Sequence, residues 1–264
     1  MELIKQLREL TGAGMVDCQK ALKEANNDLE KAVEILRKSG IAKAAKRSGR
    51  EVRDGVIKVA LNANKTEGYM VEVNSETDFV ARNEKFQAFA AAVLELIKQA
   101  QPANVEELLT LKMADATVSD SLDALSGTTG EKMAIKRLAI IKGATVAAYS
   151  HLGGKIGVLV ALDQAGKEAL AQEITMQVAA ANPKYITPSE VDPGELAKEK
   201  EIYKEQLVKE GKPVEIAEKI IMGKMGKFYA DVCLEEQEYI KDEKKKVKDV
   251  LAGVKVSVFV RFAL

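Results

Sequence analysis

Leu3, Ile4, Leu7 and Leu10 recur at helical spacing, and Thr11-Gly12-Ala13-Gly14 breaks the pattern. Met15, Cys18, Ala21, Leu22 and Ala25 form a second apolar stripe. Asn26-Asn27-Asp28 reads as a turn, with Asp28 placed to cap a third helix carrying Leu29, Ala32, Val33 and Leu36, and Gly40 as its stop. Each helix is too short to persist alone, so residues 1–40 are predicted to close one small three-helix core that includes Cys18.

After residue 54 the period changes from helical to alternating. Ile57, Val59 and Leu61 alternate, Asn64–Gly68 has turn chemistry, and Tyr69, Val71 and Val73 continue as a return strand. Phe86, Phe89, Ala90, Val93, Leu94 and Ile97 mark one face of a long helix that Pro102 and Asn104 end. Residues 103–130 are poorly patterned and suggest short helical pieces. A weaker second copy follows: strands at Met133–Ile141 and Ala144–Tyr149, a His151-Leu152-Gly153-Gly154 turn, and an apolar strand at Lys155–Leu162. Its helix carries Leu170, Ile174, Val178 and Ala181 and is stopped by Asn182-Pro183. Strand, glycine turn, strand and helix thus occur twice, which predicts an internally duplicated α+β core.

Residues 189–226 differ again. Leu196, Ile202, Tyr203, Leu207 and Val208 give a charged helix a narrow seam, Gly211-Lys212-Pro213 turns the chain, and Ile216, Ala217, Ile220 and Ile221 begin a second helix. Val254–Phe262 is a closing strand. The expected organisation is 1–40 three-helix domain, 41–54 basic linker, 55–140 core subdomain N, 141–188 with 227–264 core subdomain C, and 189–226 an inserted antiparallel coiled-coil hairpin.

Composition narrows function mainly by exclusion. The chain has 264 residues, with 40 Lys+Arg against 40 Asp+Glu; zero net charge argues against bulk nucleic acid or an anionic membrane as the main partner. No apolar run approaches the ~18 residues of a membrane span, and the start Met1-Glu2-Leu3-Ile4-Lys5 does not read as a signal peptide. Two isolated cysteines, Cys18 and Cys233, suggest a reducing compartment, hence the cytoplasm. His151 is the single histidine, so zinc clusters are excluded and any Ser-His-Asp or Cys-His unit would have to use it as its only imidazole; beside two glycines it reads as a surface turn residue. Gly153-Gly154-Lys155 lacks P-loop spacing, and Thr11–Gly14 follows no strand. Neither enzyme chemistry, a bound cofactor nor a metal site is expected.

Two segments carry binding hypotheses. Arg37, Lys38, Lys43, Lys46, Arg47, Arg50 and Arg53 crowd residues 37–53; a solvated connector is the plain reading, and a ribosome- or RNA-associated site is the alternative. Ser75-Glu76-Thr77-Asp78-Phe79-Val80-Ala81-Arg82-Asn83 joins a strand to the helix that Asn83 can cap, which puts Phe79 and Val80 in a connecting loop. Residue physics alone favours one of them as a hydrophobic staple; the functional reading makes Phe79 an outward wedge with Asp78 as its polar neighbour.

Thr11-Gly12-Ala13-Gly14-Met15-Val16-Asp17-Cys18 with Lys20-Ala21-Leu22, and Thr77-Asp78-Phe79-Val80-Ala81-Arg82-Asn83, resemble two signatures of the elongation factor Ts family. Ile156-Gly157-Val158-Leu159-Val160 after His151, Gly211-Lys212-Pro213 with Glu215-Ile216-Ala217, and Arg261-Phe262 match further family segments in order. The resemblance implies a guanine-nucleotide exchange factor for elongation factor Tu, the GTPase that holds GDP or GTP with Mg2+. It implies a ubiquitin-associated-like N-terminal domain, two related core subdomains and an inserted coiled coil. By resemblance Asp78 and Phe79, within Thr77, Val80, Arg82 and Asn83, enter the partner near its magnesium and phosphate site. Val16, Asp17 and Lys20 are implied contacts to the nucleotide-binding domain, and His151, Gly153 and Gly154 contacts to the partner's distal domain. A homodimer or a 2:2 complex is a further expectation. Many members continue with a C-terminal helical segment, whereas this sequence ends at Leu264, which leaves that contact unassigned.

Overall fold

A computed structural model of the chain describes residues 2–11, 13–45, 47, 49–209 and 214–264, side chains excepted at 41–45 and 214–217. The fold is α+β. Three helices come first: α1 (Glu2–Thr11), α2 (Met15–Glu24) and α3 (Leu29–Ala45). Their stripes meet as expected, burying Leu7, Cys18, Ala21, Leu22 and Ala32 together. Asp28 caps α3 by accepting the Lys31 N–H at 3.0 Å.

Gly40 does not end that helix. It lies inside α3, so residues 41–45 of the expected linker are helical. The same missing Cβ that suits a helix stop here lets two helices touch. A Cβ on Gly127, in the later helix Val118–Thr129, would sit 2.5 Å from the Gly40 Cα.

The first core unit comprises β1 (Asp54–Leu61), β2 (Glu67–Ser75), the one-turn α4 (Asp78–Ala81) and α5 (Glu84–Ala100). It continues with α6 (Val105–Thr110), β3 (Lys112–Met113), β4 (Ala116–Thr117), α7 (Val118–Thr129) and β5 (Met133–Lys142). The second unit has β6 (Thr145–His151), β7 (Ile156–Leu162) and α8 (Glu168–Ala181), then the arm α9 (Pro193–Lys209) and α10 (Val214–Val232). It closes with β8 (Glu238–Tyr239), β9 (Asp242–Lys246), α11 (Val247–Leu251) and β10 (Val256–Ala263). The expected turn at Gly211-Lys212-Pro213 lies outside the described residues.

The sheets run β1-β2-β5 and β6-β7-β10, both antiparallel with the second strand central. The strand at Met133–Lys142 therefore closes the first sheet; the repeat pattern assigns it to the second copy, whereas the expected boundary at residue 140 leaves nearly all of it in subdomain N, where it belongs. With that correction the two units have the same order: hairpin, helix, insertion, return strand. Both main helices end alike, with Gln101 (φ 48°) before Pro102 and Asn182 (φ 46°) before Pro183.

Alternation along each strand builds four layers. Val56, Tyr69, Val71 and Val73 face α5, and Val158, Val160 and Leu162 face α8. Ile57, Met70, Ile141, Val146, Leu159, Ala161 and Phe262 fill the space between the sheets. Glycine at the second position of each central strand permits the approach: a Cβ on Gly68 would lie 2.9 Å from Val146 Cγ1, and one on Gly157 2.8 Å from Met70 Sδ. The hairpin loops bond reciprocally. The Ile57 N–H donates to the Gly154 carbonyl and the Val146 N–H to that of Lys65, both at 2.7 Å.

One polar cluster sits in the inter-sheet layer. A bulge in β5 leaves Lys136 unpaired between Ile135 and Arg137 and aims both cations at Glu72, whose side chain is fully buried. Arg137 Nε donates to Glu72 at 2.6 Å, its Nη2 donates to the Ala263 carbonyl at 3.1 Å, and its guanidinium lies over the Phe262 ring. Glu72 thus ties β2 to β5 and, through Arg137, to β10.

In the arm, Leu196, Tyr203 and Leu207 turn inward as expected, whereas Ile202 and Val208 are exposed. Spacings of seven and four residues keep one helix face; 202 and 208 fall beside it. Cys18 and Cys233 are both buried, and burial pushes the Cys233 thiol up to about 11.

Candidate functional site

Phe79 is 84% exposed, the most exposed of the large apolar side chains among the described residues. The segment expected to be a loop is the helical turn α4, capped by Thr77, whose Oγ1 accepts the Val80 N–H at 3.5 Å. A helical turn separates neighbouring side chains by roughly 100°. That phasing sends the two side chains apart: Val80 packs against the α5 core and Ala81 is buried, while Phe79 points out.

The turn is held from below. Thr77 donates through both its N–H (3.0 Å) and its hydroxyl (2.6 Å) to the Glu131 carboxylate. Ser75 Oγ donates to the Thr77 carbonyl at 2.9 Å, and Gln87 Nε2 to that of Ala81 at 2.6 Å. Asn83 caps α5 by accepting the Lys85 N–H. Asp78 pairs with Arg82 at 3.0 Å beside Phe79. The result is one aromatic ring on a fixed base, flanked by an ion pair.

Glu76 accepts the Lys132 N–H at 2.6 Å and pairs with Arg50 at 3.1 Å. The Lys132 amide first, and Arg50 after it, hold its carboxyl below the ordinary 4.5. The unfolded chain therefore takes up this proton first on acidification. Glu76 stabilises the fold above pH 4.5 and loses that contribution as pH falls through its lowered folded value. Glu76→Gln is expected to flatten this acid limb while leaving neutral-pH unfolding within about 1 kcal/mol of the wild type, as read by urea titration at several pH values.

His151 ends β6 and is exposed, with its ring stacked on Tyr149 and its Nδ1 2.9 Å from the Tyr149 hydroxyl. Gly153 is exposed, while Gly154 is buried against β1. The next residue, Lys155, pairs with Asp54 at the start of β1. Asp54 faces Ser75 across the β1–β2 pair, and Ser75 leads directly to α4. The glycine turn and the Phe79 turn thus lie at the same end of the sheet pair. Val16 and Lys20 are exposed on α2, with Asp17 half-buried between them in sequence. Leu10 (65% exposed) and Met15 (54%) add to the apolar surface there.

Among the described side chains of the basic segment, four are engaged within the chain. Arg47 donates to the Ser126 carbonyl at 3.0 Å, Arg50 pairs with Glu76, Arg53 with Glu51, and Lys38 with Glu34. Lys46 lies outside the described residues.

Residues 76–264 match the family model described as Elongation factor TS, and residues 1–40 match a UBA-like domain. A curated elongation factor Ts from Clostridium botulinum (strain Alaska E43 / Type E3) is 44% identical over 98% of this chain and 90% of its own length. Those of Deinococcus deserti and Deinococcus radiodurans are 44% identical over the whole of this chain and 99% of theirs. The chain belongs to the elongation factor Ts family.

The elongation factor Ts match begins at Glu76, two residues before α4, and takes in the aromatic turn, β5 of the first sheet, the whole second sheet and the arm. The three helices that present Val16 and Lys20 are the UBA-like match. Sequence reasoning missed Glu131, Asp54 and Lys155, which hold these surfaces. Glu131 lies 54 residues from Thr77, so no local pattern could announce the pair.

Proposed function

We propose that this chain is a guanine-nucleotide exchange factor that binds elongation factor Tu and uses Phe79 to disturb that GTPase's magnesium and phosphate site. The observation that carries the reading is the ring of Phe79, 84% exposed on a turn pinned at Thr77. A lone apolar side chain held rigidly in water is poorly placed for stability and well placed to fill a partner's apolar gap. Because its base is fixed, little conformational freedom is lost on docking.

A GTPase holds its nucleotide through Mg2+ and backbone amides around the phosphates. A wedge that displaces those groups weakens nucleotide binding, and linkage makes the weakening reciprocal. GDP leaves, and GTP in excess refills the site and releases the factor. The chain makes and breaks no covalent bond. In this reading Asp78, Arg82 and Asn83 border the wedge, and Thr77 and Val80 anchor it. Val16, Asp17 and Lys20 dock on the nucleotide-binding domain, and His151 with Gly153 meets the distal domain; Gly154, buried against β1, shapes their turn rather than touching the partner. The work is done in the cytoplasm, as part of translation elongation.

The test is release of a fluorescent GDP from elongation factor Tu with Mg2+ present. Catalytic amounts of this chain are expected to accelerate release; an unchanged rate would overturn the reading. Sedimentation of the chain alone and with its partner reads whether a homodimer or a 2:2 complex forms.

A further inference from the structure

Residues 126–132, from the end of α7 to the start of β5, touch both modules that the exchange reading brings to the partner. Toward the three helices, Gly127 meets Gly40 of α3 backbone to backbone, and the Ser126 carbonyl accepts Arg47 Nη1 at 3.0 Å. Toward the aromatic turn, Glu131 receives both Thr77 donors, and the Lys132 N–H holds Glu76 at 2.6 Å. The segment is braced internally as well. Ser126, 3% exposed, donates its hydroxyl to the Glu131 carbonyl at 2.6 Å, and Gly130 closes α7 in the left-handed conformation (φ 81°).

We propose that residues 126–132 are the positioning element of the exchange surface, with Glu131 the positioning residue for Phe79 and Gly127 the one for the three-helix domain. The proposal rests on the exchange reading. Glu131 acts through Thr77: its carboxylate fixes the cap from which α4 starts, and α4 fixes the direction of the ring. Gly127 acts through α3: a Cβ there would meet the Gly40 backbone, so α3 and the helices packed on it must shift. Wedge and dock are in effect two linked binding modules, and their spacing sets how well both engage at once.

The experiment follows fluorescent GDP release from elongation factor Tu as a function of the concentration of the full chain. Glu131→Ala is expected to lower the maximal rate about tenfold, since a misaimed group loses rate before affinity, with half-saturation within about twofold. Glu131→Gln keeps an acceptor for the Thr77 N–H and is expected to recover most of that rate. In a Phe79→Ala background, Glu131→Ala should cost nothing more, because its effect passes through the ring. Gly127→Ala is expected to raise half-saturation about tenfold with a maximal rate near wild type. Thermal melts of each variant establish that the compared chains are folded. The proposal is overturned by an unchanged maximal rate in Glu131→Ala, by a further loss in the double variant, or by Gly127→Ala altering rate rather than half-saturation. A wild-type chain that leaves GDP release unchanged overturns the exchange reading itself, a separate outcome.

Discussion

Phe79→Ala is expected to slow GDP release from elongation factor Tu about thirtyfold while leaving the chain's own stability within about 0.5 kcal/mol. Both halves follow from exposure. A side chain 84% in water contributes little to the folded state, and the α5 core beneath is built from Val80, Ala81 and Phe86 instead. A central aromatic anchor is worth about 2 kcal/mol or more at an interface, and about 1.4 kcal/mol is a factor of ten. Stopped-flow release gives the first number and urea unfolding the second. Equal loss in both would mean that the ring serves the fold; loss in neither would mean that the wedge lies elsewhere. Val80→Ala should show the opposite profile, with lower stability and a release rate that falls less.

The second large effect is on stability. Glu72→Ala is expected to destabilise the chain by about 3 kcal/mol, the lower end of what breaking a buried ion pair costs. The lower end applies because the Arg137 side chain is 38% exposed and recovers some hydration. The variant strands Arg137 against Phe262 and removes one of the two acceptors of Asn74 Nδ2, the other being the Asp54 carbonyl. Pairing Glu72→Met with Arg137→Met removes both charges and should cost less than Glu72→Met alone, so the cycle of the two single methionine variants and the pair separates a stranded charge from a lost attraction. Urea unfolding measures each; a double variant weaker than Glu72→Met would locate the value of the pair in the attraction.

Much of the architecture was legible because burial imposes periodicity. The stripe Phe86 to Ile97 and the alternation from Ile57 to Val73 reappear as buried faces. The misreadings share one cause: a local pattern does not name its partner. Gly40 suits a helix stop and a helix crossing equally, and Gly127, which decides between them, is far away in sequence. Met133–Lys142 alternates the same way whichever sheet receives it. Ile202 and Val208 flank the arm's seam closely enough in sequence to have been counted in it. α7 was hidden by its Ser, Thr and Gly content, although Thr117 and Asp120 form a capping box that marks its start. At the candidate site the residue types were legible and the support was not. Thr77-Asp78-Phe79 stands out in sequence; that Val80 turns in, Phe79 turns out and Glu131 fixes both depends on long-range bonds.

The reciprocal bonds from Ile57 to Gly154 and from Val146 to Lys65 bear on assembly. Each half offers the other a loop and an open apolar sheet face, as two subunits of a symmetric dimer do. Neither half has a complete interior until the other arrives. The core is therefore expected to melt in one step rather than by halves, as heat or urea unfolding followed by two probes would read, and the short peptide between Lys142 and Thr145 raises their local concentration without itself being the clasp.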